Sequence, residues 1–247
     1  MKRGHLLATG LGIYAFALIA TAPATFADAG LRHASDGSLR IAEARGTLWS
    51  GSGQIEIRTA DGQTGVARIF AWRVVPQSLL GGHVVCEIEL EQANRRFPLT
   101  LAMSRVELAN ADISLPASVL GMGVAKLAPL GLTGEVQVHV ASLSIARNAL
   151  EGDATLQWRA AGSALTPLSP LGDYELRLDG EGTTLNATLH TIEGPLRLEG
   201  KGSWTRGARP AFLGMASVPP QHQQQLAPLL RLIAVERGAG SFELRLN

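Results

Sequence analysis

Gly46-Thr47-Leu48-Trp49-Ser50-Gly51-Ser52-Gly53, followed by Ala71-Trp72-Arg73-Val74-Val75-Pro76, is the stretch that decides the fold, because a shortened version returns around Trp158. In the first copy Gly53-Gln54-Ile55-Glu56-Ile57 leads through Gly65 to Trp72-Arg73, then to Pro76-Gln77-Ser78-Leu79-Leu80-Gly81 and an alternating run from Val84 to Leu90. In the second, Gly134-Glu135-Val136-Gln137-Val138 leads through Gly152 to Trp158-Arg159, then to Pro167-Leu168-Ser169-Pro170-Leu171-Gly172 and a run from Tyr174 to Leu178. The order of signals is kept while the loop lengths drift, as surface connections allow. Trp72 and Trp158 read as core aromatics at strand ends, each able to bury roughly 200 Å².

Working outward, period-two alternation covers most of the chain. Val106 and Leu108 alternate with Arg105 and Glu107, and Val136, Val138 and Val140 with Glu135, Gln137 and His139. Leu176/Leu178, Leu196/Leu198 and Leu244/Leu246 do the same beside charged neighbours. Apolar-in, polar-out strands of this kind form an antiparallel sheet wetted on one face. Glycines in Asp61-Gly62, Asp179-Gly180, Glu193-Gly194 and Glu199-Gly200 are expected at turns or bulges. Two segments break the pattern. Pro116 to Leu130 carries Leu120, Val124 and Leu127 at helical spacing, and Pro220 to Glu236 carries Leu226, Leu229, Leu230 and Ile233 as one stripe. Both are expected to be short helices covering the sheet. The fold class is therefore mainly β: an extended, curved antiparallel sheet of two related β units, with short covering helices and an N-terminal transmembrane helix.

The N-terminus sets the compartment. Lys2 and Arg3 precede an uncharged run from Leu6 to Ala24, which as a helix would span about 28 Å against a bilayer core of about 30 Å. With no further basic residue until Arg32, the positive-inside rule places the rest of the chain outside the cytoplasm. Ala27-Asp28-Ala29 also offers a small-x-small signal cleavage site, so a retained anchor and a removed leader are both open, and either predicts export. The expected organisation is residues 1–26 as membrane anchor or signal segment, 27–44 as linker, 45–132 as the first β unit, and 133–247 as the second, ending in a helix and a strand.

Composition excludes more than it assigns. With 247 residues, 46% hydrophobic, the chain can bury a large core, and its net charge of +1 from interspersed charges gives no footprint for nucleic acid. Cys86 is the sole cysteine; on a strand where Cys86, Ile88 and Leu90 alternate with Glu87, Glu89 and Glu91, it reads as a buried thiol. His5, His33, His83, His139, His190 and His222 share no ligand spacing, so no metal site is expected. Glycines from Gly194 to Gly202 lack the phosphate-loop order, and Gly180-Glu181-Gly182 lacks a third glycine and a βαβ context. Ser50 and Ser52 form no nucleophile elbow, and Glu87, Glu89 and Glu91 read as a solvated face. No catalytic, cofactor-binding or metal-binding residue is expected, and the chain reads as a protein other than an enzyme.

The residues also support a resemblance. The charged tip and apolar helix ending near Pro23-Ala24, the block Arg45 to Gly53, and Trp72-Arg73 with Pro76 and Leu79 to Gly82 resemble protein N of the type II (general) secretion pathway. So do Gly172-Asp173-Tyr174, the run Leu189 to Trp204 containing Gly194-Pro195-Leu196, and Phe212 to Ala216, in the same order. The resemblance implies an inner-membrane component, its β domain in the periplasm, of the machine that carries folded proteins across the outer membrane of Gram-negative bacteria. It implies no catalytic residue. Other secretion components are the expected partners, reached through edge strands or the Trp-containing corners, with Trp49 as the candidate exposed contact unless it packs in the core. A competing reading is a lipid carrier similar to AsmA-like or lipoprotein-carrier proteins, in which the apolar face lines an open groove for acyl chains.

Overall fold

The computed structural model describes residues 2–58, 64–91, 96–123, 125–205, 208, 211–238 and 240–246. Fourteen strands form one antiparallel sheet: β1 (Leu39–Gly46), β2 (Ser50–Arg58), β3 (Thr64–Val75), β4 (Val84–Leu90), β5 (Phe97–Leu101), β6 (Arg105–Pro116), β7 (Leu132–Ala146), β8 (Leu150–Ser163), β9 (Gly172–Glu181), β10 (Thr184–Glu193), β11 (Arg197–Thr205), β12 (Ala211–Ser217), β13 (Ala234–Gly238) and β14 (Ser241–Leu246). Each strand lies beside its sequence neighbour as far as β12; there β14 intervenes and β13 ends the sheet. The two expected β units thus share one continuous sheet.

The two tryptophans singled out by the sequence have similar settings in the register. Trp72 on β3 lies opposite Gly51 on β2 and its indole N–H donates to the Leu48 carbonyl at 3.1 Å. Trp158 on β8 lies opposite Val136 on β7 and donates to the Thr133 carbonyl at 2.9 Å. In both units the acceptor stands three residues ahead of the tryptophan's cross-strand partner. The two strand pairs therefore correspond at the tryptophans and not at Gly53 and Gly134. β2 and β7 stand five places apart in a sheet of alternating direction, so they run opposite ways, yet both tryptophans lie on the apolar face. No rotation reverses strand direction while keeping both the lateral order and the apolar face, so the likeness is confined to the tryptophan's register and hydrogen bond.

Alternation places the core on one face, in three contiguous clusters. Phe70, Trp72, Val74 and Cys86 pack with Ile41 and Ala24 at the N-terminal end; Phe97, Ala111 and Val140 form the middle. Val136, Leu171, Leu196, Ala216 and Leu244 close the C-terminal end under Leu226, Leu229 and Leu230. Those three leucines belong to α4 (Gln223–Ile233), whose stripe packs as expected; the helix stops at Ile233 because residues 234–238 pair with β14 instead. The other expected helix is divided. Pro116 closes β6, α3 (Ser118–Gly123) makes little more than one turn, and a 3-10 turn covers Ala125–Leu130 with Pro129 inside it. Val124 lies outside the described residues, as do Asp61 and Gly62.

Two glycines expected at turns sit within strands. Gly180 is in β9 and Gly200 in β11; a Cβ at Gly200 would come within 2.5 Å of the Phe212 ring, so the residue is small because that ring lies flat across it. Gly194, by contrast, has φ +130° at the turn after β10, where a Cβ would meet the Gly172 backbone at 2.3 Å.

The N-terminal segment departs furthest from expectation. α1 (Lys2–Ala20) ends four residues before the uncharged run does, since Ala22 to Ala24 fold onto the sheet: Leu48 donates to the Ala22 carbonyl, Ala24 to that of Gly46, and Pro23 bridges Thr47. The uncharged helical part, Leu6 to Ala20, spans about 22 Å. Among the described residues no helix is long and apolar enough to cross a membrane. Residues 27–44, read as a linker, hold α2 (Thr25–Ala34) and most of β1.

Candidate interaction surfaces

On the polar face the in-register side chains of neighbouring strands form a lattice. Asp112 on β6 meets His139 on β7 at 2.6 Å, and the Ser114 hydroxyl donates to Glu135. Gln157 on β8 donates to Glu175 on β9 at 2.9 Å, Arg177 donates to the same carboxylate at 2.7 Å, and His190 on β10 stands 3.6 Å from it. Of these groups Asp112, Ser114, His139, Gln157, Glu175 and Arg177 line a trough of about 850 Å³ across β6 to β9, with Glu135 and His190 outside its lining.

The chemistry of the trough follows from how its groups are engaged. Glu175 is buried, and the bonds from Gln157 and Arg177 hold its carboxyl below the usual glutamate range. Glu135 is lowered chiefly by the Ser114 hydroxyl, with Gln137 and the Arg159 and Arg68 charges adding. Ser114 is thereby turned to Glu135 and not to His139, so serine, imidazole and carboxylate do not align as nucleophile, base and orienter. Among the described residues no three His, Cys, Asp or Glu side chains converge as metal ligands. His139 and His190, which share no ligand spacing in the sequence, form these cross-strand pairs; only register brings them to their carboxylates.

The other singled-out residues fall elsewhere. Cys86 is buried in the N-terminal cluster, and burial pushes its thiol up. Glu89 pairs with Arg96 at 2.8 Å at the start of the next strand, which relieves its repulsion with Glu87. Trp49 is half-buried against the N-terminal cluster, and its indole donates to the Ile19 carbonyl at 2.7 Å in the last turn of α1. It thus clasps α1 to the sheet, nearer the packed alternative than the exposed contact.

The two sheet edges are unlike. On β1 the outward amides are occupied: Leu39 donates to the Ser35 hydroxyl at 3.1 Å and Ile41 to the Asp28 carboxylate at 2.7 Å. Both acceptors come from α2 or its C-terminal cap, so the helix both covers and caps that edge. Among the described residues β13 pairs with β14 alone, and its Val235 is exposed, as is Leu232 near the end of α4. Sequence reasoning did not separate these edges, because the capping contacts of β1 cross from residues that read as linker.

Residues 37–245 match the family model described as type II secretion system, protein N. No curated protein and no solved structure matches the chain.

Proposed function

The chain belongs to the protein N family of the type II secretion system, and from that premise we propose that it acts without catalysis, as an anchored sheet that docks another component of the system. Membership makes it a secretion-system component; the mode of action is our reading. α1 holds the protein at the inner membrane, its 19 residues supplying a length of about 28 Å with the charged residues confined to its first turn. The sheet then lies in the periplasm, and β13 takes a strand from a periplasmic partner, main-chain bonds giving affinity and the neighbouring side chains giving choice.

The observation that carries this reading is the asymmetry of the edges: α2 and its cap take the Leu39 and Ile41 amides of β1, while among the described residues β13 has a strand neighbour on one side alone. The lipid-carrier reading has no comparable support, since α4 and the corner segments fill the C-terminal apolar face with buried leucines.

Deletion should abolish or sharply reduce secretion of substrates of the system, or alter its assembly. With Cys86 buried, Val235→Cys gives a single accessible thiol at the open edge. Cross-linking from it in cells should trap a secretion component, whereas Arg40→Cys on the capped strand should not. Normal secretion and assembly in the deletion strain, or equal trapping from both edges, would count against the proposal.

A further inference from the structure

The two Pro-to-Gly corners of the recurring sequence pattern treat their leucines in opposite ways. In the second, Leu171 is 2% exposed and Leu165 and Leu168 pack against the C-terminal core. In the first, the 3-10 turn Pro76–Gly81 presents Leu80 at 92% exposure and Leu79 at 41%. The exposure is therefore no property of the corner motif as such.

The first corner is a braced wedge. The buried Ser78 hydroxyl donates to the Val75 carbonyl at 2.7 Å and accepts the Val85 amide at 2.9 Å, while Gly82, at φ +72°, donates to the Leu79 carbonyl at 3.1 Å. Polar groups that bind one another leave a surface whose apolar tips enter a poorly hydrated medium at little cost. The ten residues from Pro76 to Val85 contain no Asp, Glu, Lys or Arg.

Its position is tied to α1. The Val74 amide donates to the Trp49 carbonyl at 2.7 Å, and the same tryptophan clasps Ile19. The wedge starts two residues beyond Val74, so it stands beside the foot of α1, where Leu18, Ile19 and Phe26 are also exposed. Residues Ala17 to Ala27 are uncharged as well.

We propose that the Pro76–Gly81 corner is a second membrane foothold, with Leu79 and Leu80 seated in the headgroup and acyl boundary of the bilayer that holds α1. This rests on α1 being the anchor, as proposed above. Two footholds joined through Trp49 fix the tilt of the sheet on the membrane, where one helix alone would let it swing.

Fluorophore-labelled single cysteines in the full chain, in vesicles of phosphatidylethanolamine and phosphatidylglycerol carrying a headgroup-level spin-labelled lipid, test this. The positions are Phe16→Cys on α1, Leu80→Cys on the wedge and Ser169→Cys on the second corner; Leu80 and Ser169 are exposed, so folding is spared. Quenching at positions 16 and 80 should be several-fold deeper than at 169. Quenching at 16 with position 80 no deeper than 169 would overturn the foothold and leave the anchor standing. Absence of quenching at 16 would overturn the anchor and the foothold with it.

Discussion

Trp72 and Trp158 share one local setting. Each packs against a core cluster from within a strand, not at the strand end the sequence suggested, and each donates its indole N–H to a carbonyl three residues ahead of its cross-strand partner. Trp72→Phe and Trp158→Phe keep most of the ring burial and lose the bond, so each should cost about 1 kcal/mol by urea unfolding. Truncation to Ala should cost about 3–5 kcal/mol. A neutral Phe variant at both sites would show that the shared bond is incidental. Glu175 gives the pH counterpart. Its folded carboxyl sits below the unfolded glutamate range because Gln157 and Arg177 donate to it. A lowered carboxyl contributes stability that is present above the unfolded value and lost as pH falls through the folded one. Stability should therefore decline as pH falls through the unfolded glutamate value toward the lowered folded one, and Glu175→Gln should flatten that decline. An unchanged slope in the variant would assign the acid sensitivity to other carboxylates.

At the scale of elements, the sequence was most legible where a strand has one wet face. Alternation identified β6, β7 and β9 because burial there depends on local parity, and the α4 stripe was legible for the same reason at period 3.6. It failed where a contact crosses the chain. Pro23 and Ala24 look like the end of an apolar helix, yet they pair with the Gly46–Leu48 turn, and α2 looks like linker because its role lies in the side chains it offers to β1. Its amphipathic face turns Ala27 and Leu31 to the N-terminal cluster while Asp28 accepts the Ile41 amide. Asp28→Ala should uncover that amide, lowering stability by about 1 kcal/mol and raising concentration-dependent self-association through β1. Sedimentation of the variant beside the unaltered protein measures the second effect, and an unchanged monomer fraction would mean that α2 protects the edge by bulk alone.

For the molecule as a whole, fourteen strands in near-sequential order make a sheet with two ends, and function follows from how each end is finished. α2 closes one, β13 leaves the other available, and α1 departs from the closed end through the Trp49 clasp. The cross-linking test at Val235 and the quenching test at Leu80 belong to this scale, since each asks which way the sheet presents itself. The family was legible from blocks such as Gly46 to Gly53 and Gly194 to Trp204, which carry close approaches of backbone and ring that few residues satisfy. The trough lattice was not, because Asp112 and His139 are 27 residues apart and meet through register alone.

The chain by itself determined a sheet with one apolar face, the burial of Cys86 and the recurrence of a Trp-bearing unit, because parity along a strand is a local property of sequence. The tertiary structure alone decided that both units share one sheet, that Trp49 clasps α1, and which edge stays open. Those outcomes depend on distant residues meeting, and no local period encodes where a strand finds its partner.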